Sequence, residues 1–262
     1  MRTLSELSSS VVRGLLGMAG FLALLEIVPL LGVVSRDHLP PLHEVAGALA
    51  DEVRDGRFWG AVGDTLLGWA LGLAIALAAG IVLGLVIGSV DLLRRATAST
   101  IEFLRPIPSV ALIPLAVLLY GTQLESKLLL IVYAAFWQVL IQVLYGVRDV
   151  DPVARDTAYS FRLGAWTRIR RVVWPTALPY VMTGVRLAAA VALVLAVTAE
   201  LVIGNPGLGQ QIAVAHTSGA VDRMYALVLV TGLIGVAVNL GARGVERRAL
   251  AWHPSVRREA PA

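Results

Sequence analysis

The feature that most constrains this chain is the alternation of long uncharged apolar runs with short arginine-rich stretches. A hydrocarbon core about 30 Å thick needs roughly 20 apolar residues per crossing helix. Six segments meet that need: 14 to 34, 61 to 88, 101 to 120, 128 to 146, 179 to 203 and 224 to 242. Only 15% of the residues are charged, against about a quarter in an average soluble domain, so lipid is the expected surroundings for much of the surface. The first run follows only Arg2, Glu6 and Arg13. It outlasts a signal-peptide core and leads to no small-residue cleavage site, so it reads as an uncleaved anchor despite Glu26. With no cysteine in the chain, a disulfide framework, a thiolate zinc site, a cysteine-ligated iron–sulfur cluster and a lipoprotein anchor are all excluded.

Six crossings put both termini on one side. Of the 22 basic residues, that side would carry 17, from Arg2 and Arg13 through Arg94, Arg95 and Arg105, the seven between Arg148 and Arg186, and the tail. The other side would carry Arg36, Arg54, Arg57, Lys127 and Arg223. The positive-inside bias makes the first side cytoplasmic. The expected organisation is a cytoplasmic N-terminus (1–13), a first span (14–34), an extracytoplasmic amphipathic segment (35–60), a five-span core (61–246) containing a cytoplasmic loop (147–178), and a basic cytoplasmic tail (247–262). The modest charge excess is an orientation signal rather than a nucleic-acid footprint.

Within the outer segment, Leu42, Val45, Ala46, Leu49 and Val53 recur at helical spacing. They read as a short amphipathic helix on the outer face, for which the plainer account is a solvated connector resting on headgroups. In the second span Gly68, Gly72, Ala76, Gly80, Gly84 and Gly88 fall four apart and share one face. Such a groove admits another helix at close range, either a neighbouring span or a second subunit. The third span opens with Arg105-Pro106-Ile107-Pro108 and meets Pro114, so its cytoplasmic end cannot be a regular helix, and freed backbone groups there must be buried or face a wet cavity.

Residues 147 to 175 hold nine charges. At roughly 3 kcal/mol each in the bilayer centre they would cost about 27 kcal/mol, so the segment lies outside the hydrocarbon. It is nonetheless patterned. Ala154, Ala158, Phe161 and Ala165 form one apolar stripe, and Trp166, Ile169 and Val173 form another. Two short surface helices, broken near Leu163-Gly164, begun by Pro152 and ended by Pro175 and Pro179, fit this pattern. They form either a docking surface or an interfacial hairpin on anionic lipid.

Leu104-Arg105-Pro106-Ile107-Pro108, Gly121, Ser126-Lys127, Gly146-Val147-Arg148, Val150-Asp151-Pro152, Arg171-Val172-Val173-Trp174-Pro175, Ala177-Leu178-Pro179, Thr183 to Leu187, Ala199-Glu200 and Gly207-Leu208-Gly209 resemble, in order, the permease subunits of bacterial ABC importers of the nitrate/sulfonate/taurine type. The resemblance covers about residues 60 to 250. It implies an all-α membrane protein with six transmembrane helices and the type I importer fold, paired with a second permease subunit, two ATP-binding subunits and an extracytoplasmic substrate-binding protein. It places Asp156-Thr157-Ala158 in the cytoplasmic motif that forms a coupling helix, with Phe161, Arg162, Gly164 and Trp166 in the same loop. The family's acidic residue there is Glu, and its glycine six positions on is replaced by Arg162. Either the bend has moved to Gly164 or Arg162 marks one half of a heterodimer. Gly207 and Gly209 are placed in an outer loop near the gate, and a passage would run along the third and fifth spans near Pro108.

A phosphate loop needs Gly-Lys-Ser/Thr, and the sole lysine, Lys127, is followed by Leu128. ATP and magnesium therefore belong to a separate subunit, and this chain binds no cofactor. His43-Glu44 lacks the second histidine of a zinc-protease motif, and His38, His216 and His253 show no ligand spacing, so no metal site is expected. Glu200 lies about 31 Å along its helix from Pro179, as an interfacial carboxylate or a gate residue. Arg186 is expected to snorkel to headgroups. An ion-gradient-driven secondary transporter is the alternative; it would call for paired charges near the midplane and a repeat of broken helices, and the sequence displays neither.

Overall fold

The computed structural model describes residues 4–252, with side chains from residue 12 onward. Arg2, His253, Arg257 and Arg258 lie outside the described residues. The helices are α1 (Leu4–Leu30), α2 (Leu42–Arg54), α3 (Gly56–Ser89), α4 (Asp91–Leu104), a short tight turn of helix (Ser109–Leu112), α5 (Ile113–Tyr120), α6 (Leu124–Arg148), α7 (Pro152–Ser160), α8 (Ala165–Arg168), a π-helical turn (Ile169–Val173), α9 (Trp174–Ile203), α10 (Leu208–Thr217) and α11 (Val221–Ala249). No strand is present among the described residues. Five stretches can each cross a bilayer unaided, and the pair Asp91–Leu104 with Ser109–Tyr120, bent by 82°, supplies a sixth.

The centre is α6, with α3 on one side and α9 on the other. On the α3 side the small-residue stripe meets branched side chains that also recur every four residues. A methyl group at Gly72, Gly80, Gly84 or Gly88 would strike Ile131, Val139, Val143 or Val147 respectively, and one at Gly68 would strike the Lys127 stem. Ala76 and Ala135 are wholly buried within the same core. Of the two readings left open for this stripe, the neighbouring span is the one seen. Close approach supplies dispersion contacts that hydrophobicity cannot supply in lipid. A second stripe went unread: Ala177, Gly184, Ala188, Ala192, Ala196 and Ala199 line the buried side of α9. There Gly184 lies against Val139 and Gln142, and Gly146 against Ala177.

The structure corrects four further expectations. The third span is not a helix over 101–120. It begins at Asp91, and the charges at Asp91, Arg94, Arg95 and Glu102 hide it from an apolar-run count. Pro106 and Pro108 have no N–H to return to the carbonyls four residues back, so the helix stops. The Leu104 carbonyl, which Pro108 leaves without its helical donor, accepts the Tyr133 hydroxyl at 2.6 Å and the Ile107 N–H at 3.2 Å instead.

The second surface helix is not separate either. Pro175 falls in the first turn of α9, where a missing N–H is harmless. The π-helical turn absorbs the change in winding, and Pro179 lies inside a helix that runs from Ala165 to Ile203. Nor is α2 a connector resting on headgroups. Val45 is buried, Leu49 packs with Phe58, Leu208 and Leu227, and Glu52 pairs with Arg223 at the start of α11. Asp55 then caps α3, accepting the Arg57 N–H at 2.9 Å. That backbone bond, with the guanidinium of Arg57, holds its carboxyl below the usual range. Finally, Arg186 turns to Glu246 of α11, 3.7 Å away, rather than to headgroups alone.

Candidate coupling surface, passage and outer clasp

The loop after α6 is a helical hairpin. Asp151 caps α7, accepting the Val153 N–H at 2.8 Å, and Pro152 occupies the first turn. At the far end the Leu163 N–H returns to the Ala158 carbonyl and the Arg162 N–H to that of Tyr159. This is the paired closure of a helix whose next residue is left-handed. That residue is Arg162, at φ 52°, while Gly164 has φ −58°. The bend has therefore not moved to Gly164: arginine itself occupies the conformation that suits glycine. The Arg168 guanidinium lies 4.0 Å above the Tyr159 ring and joins the two arms.

Of the stripe read from the sequence only Ala158 turns inward; Ala154, Phe161 and Ala165 are exposed. Asp156, Thr157 and Gly164 are exposed too, and the large apolar side chains Phe161 (76% exposed) and Trp166 (73%) stand free beside Val153 and Tyr159. A stripe of alternating small and large residues marks a helix but not which side of it is covered.

The second feature is the broken third span. A groove of about 290 Å³ opens at the break, lined by Arg105 to Ser109 together with Tyr133, Ala134, Trp137, Gln138 and Val191. Tyr133 and Gln138 lie 9 and 14 residues into the 25-residue α6, about 14 and 21 Å along it. Pro108 thus sits beside the middle of the bundle. So does Arg105, which the charge count had placed at the cytoplasmic edge; α4 carries the chain inward before the break.

The third feature joins the far ends of α3, α6, α9 and α10. Glu200 is neither interfacial nor in a passage within this chain, being 0% exposed. Its carboxylate accepts from Lys127 Nζ at 2.9 Å, Thr65 Oγ1 at 2.8 Å and the Gly209 N–H at 3.0 Å. Lys127, 2% exposed, directs its other protons to the carbonyls of Asp64 and Pro206. Thr65 Oγ1 also accepts the Leu208 N–H. Beside it, buried Asn205 donates to the carbonyls of Thr122 and Gln123 and to Ser126 Oγ. Gly207, at φ 149°, and Gly209 are glycine because a β-carbon at either would collide with Glu200 or with the α9 backbone.

Paired charges thus do occur in the spans, where the sequence had seemed to hold none. They sit at the helix ends, three residues into α6 and three from the end of α9, and every donor is committed. Thr65, Lys127 and Asn205 were missed as a group. The available signal was a lone lysine and a lone glutamate in two apolar helices, which lipid forces to pair.

Residues 57–250 match the family described as binding-protein-dependent transport system inner membrane component. A putative aliphatic sulfonates transport permease protein of Bacillus subtilis is 28% identical over 244 residues, covering 93% of this chain and 88% of that protein. The taurine transport system permease protein of Escherichia coli is 35% identical over 156 residues, covering 60% of this chain and 57% of that protein. Among solved structures, a bacterial ABC transporter involved in alginate import superposes with a TM-score of 0.64 at 17% identity, over 92% of this chain and 98% of that one. An inward-facing methionine ABC transporter gives 0.63 at 15%, over 74% and 96%. With most of its length inside the family match and the importer fold in its helices, the chain belongs to the binding-protein-dependent transport system inner membrane components, the permease subunits of ABC importers.

Proposed function

We propose that this permease works as one of a pair, homodimeric or paralogous, in the cytoplasmic membrane of a bacterium, with both termini and α7 inside the cell. Two ATP-binding subunits grip the hairpin 152–168. A soluble binding protein delivers a small sulfonate, taurine-like or nitrate-like solute to the opposite face, in keeping with the names of the sulfonate and taurine relatives. The observation that carries this reading is mechanical. Trp166, exposed, stands in the first turn of the 39-residue helix Ala165–Ile203, and exposed Phe161 faces it across the bend at Arg162.

A rigid lever of that kind converts closure of an ATP-binding pair into tilting of the spans, and the coupling free energy passes both ways. ATP binding then turns the passage outward and hydrolysis resets it. The clasp at the far end of the same helix carries the movement to α10. In the assembled transporter, Asp156→Arg and Gly164→Trp should lose solute-stimulated ATP hydrolysis and uptake while still inserting in the membrane. Normal transport by both would overturn the proposal. So would labelling of Phe161→Cys from outside intact cells, a clean readout because the natural chain has no cysteine.

A further inference from the structure

The groove at the broken third span holds an arginine with nothing to neutralise it. Arg105 is exposed, and its guanidinium has no ion-pair or hydrogen-bond partner among the described residues. Yet it lies beside Tyr133 and Gln138 at the middle of α6, a depth at which a lone cation is costly and marks a solute path by default. The other polar side chains around it are donors or neutral: Ser109, Tyr133, Gln138 and Trp137. No carboxylate lines the groove, and Glu102, the nearest acidic residue in the chain, is outside it.

Trp137 adds a second, independent observation. It is 8% exposed, its ring is held edge-on by Tyr133 and Phe136, and its indole N–H is a buried donor without any acceptor. A donor left unsatisfied in this way is costly, and Trp137 is itself one of the residues lining the cationic groove. The clasp, by contrast, consumes its own charges.

We propose that this groove is the intramembrane station for the transported solute, and that the solute class it selects is a small organic anion whose oxyanion head is met by Arg105. The proposal deepens the importer reading above and rests on it for the passage. The volume of about 290 Å³ is near the lower end of small-molecule pockets and suits an anion of few atoms. The proline break makes room for it: with no helix between 105 and 108, the guanidinium-bearing residue stands at the wall instead of packing against α6.

The test uses thiol chemistry on the naturally cysteine-free chain, in membrane vesicles carrying the assembled transporter. Ser109→Cys, and separately Gln138→Cys on the opposite wall, are reacted with anionic sulfonatoethyl and cationic trimethylammonioethyl methanethiosulfonates. A local cation raises the anion rate over the cation rate, and Arg105→Gln should lower that ratio about tenfold or more, with Arg105→Lys restoring much of it. Ethanesulfonate should slow labelling only while Arg105 is present. An unchanged ratio, or no labelling at either position in any nucleotide state, overturns the proposal. Uptake of labelled sulfonates by the same vesicles separates the two readings: charge-selective labelling without sulfonate uptake leaves the anion site standing and removes the sulfonate assignment.

Discussion

Removing Lys127 from the clasp is the most demanding test of how the outer ends are held. In Lys127→Met the carboxyl of Glu200, 0% exposed, keeps only the Thr65 hydroxyl and the Gly209 N–H and loses its counter-charge in a dry place. Breaking a buried pair from one side typically costs about 3–5 kcal/mol. In Glu200→Gln the ammonium is stranded against the carbonyls of Asp64 and Pro206, at a similar cost. The double variant Lys127→Met/Glu200→Gln leaves a neutral amide with its two donors, so it should lose much less than the sum, with a coupling of about 2–3 kcal/mol. At roughly 2–4 °C per kcal/mol, each single variant should melt about 6–20 °C lower in a thermal unfolding series on the purified protein. Singles that each cost under about 1 kcal/mol, or a double that equals their sum, would refute the argument that the pair is sealed from water and mutually dependent.

The other expectations are smaller and local. A β-carbon at Gly84 would lie 2.7 Å from Val143, so Gly84→Ala should cost about 1–3 kcal/mol by overpacking. Gly63→Ala in the same helix meets nothing and should be neutral or gain up to about 1 kcal/mol, read as a paired shift in melting midpoint. Tyr133→Phe removes the 2.6 Å donor to the Leu104 carbonyl and leaves it the 3.2 Å bond from the Ile107 N–H; a loss of about 1 kcal/mol is expected from the same assay, and no loss would mean that the Ile107 N–H alone satisfies that carbonyl. Arg162→Gly should relieve about 1 kcal/mol of left-handed strain, partly offset in the unfolded chain, whereas Gly164→Ala, at φ −58° with open space around it, should be silent in stability. The reverse order would put the hinge at Gly164.

Much of the architecture was legible because lipid enforces simple rules. Apolar length marked five of the spans, and a four-residue repeat of glycine marked the closest helix contact, since only one face of a helix returns at that spacing. The third span was misplaced because its first half, from Asp91 to Leu104, carries charges that an apolar-run count rejects. The stretch after Gly164 reads in the sequence as a separate short helix because Pro175 and Pro179 signal its end, although proline in the first turn of α9 does not end a helix.

Sequence alone therefore determined what each segment can tolerate: which runs can lie in hydrocarbon, that Pro106 and Pro108 interrupt a helix, and which face of α3 admits a neighbour. It could not determine pairing at a distance. That Lys127 and Glu200, separated by 73 residues, neutralise each other, and that Arg105 is left without a partner in the middle of the bundle, depends on how three long helices are rotated and offset. The cost of a charge in a low-dielectric interior is decided by what lies within a few ångströms of it, and only the packed tertiary structure decides that.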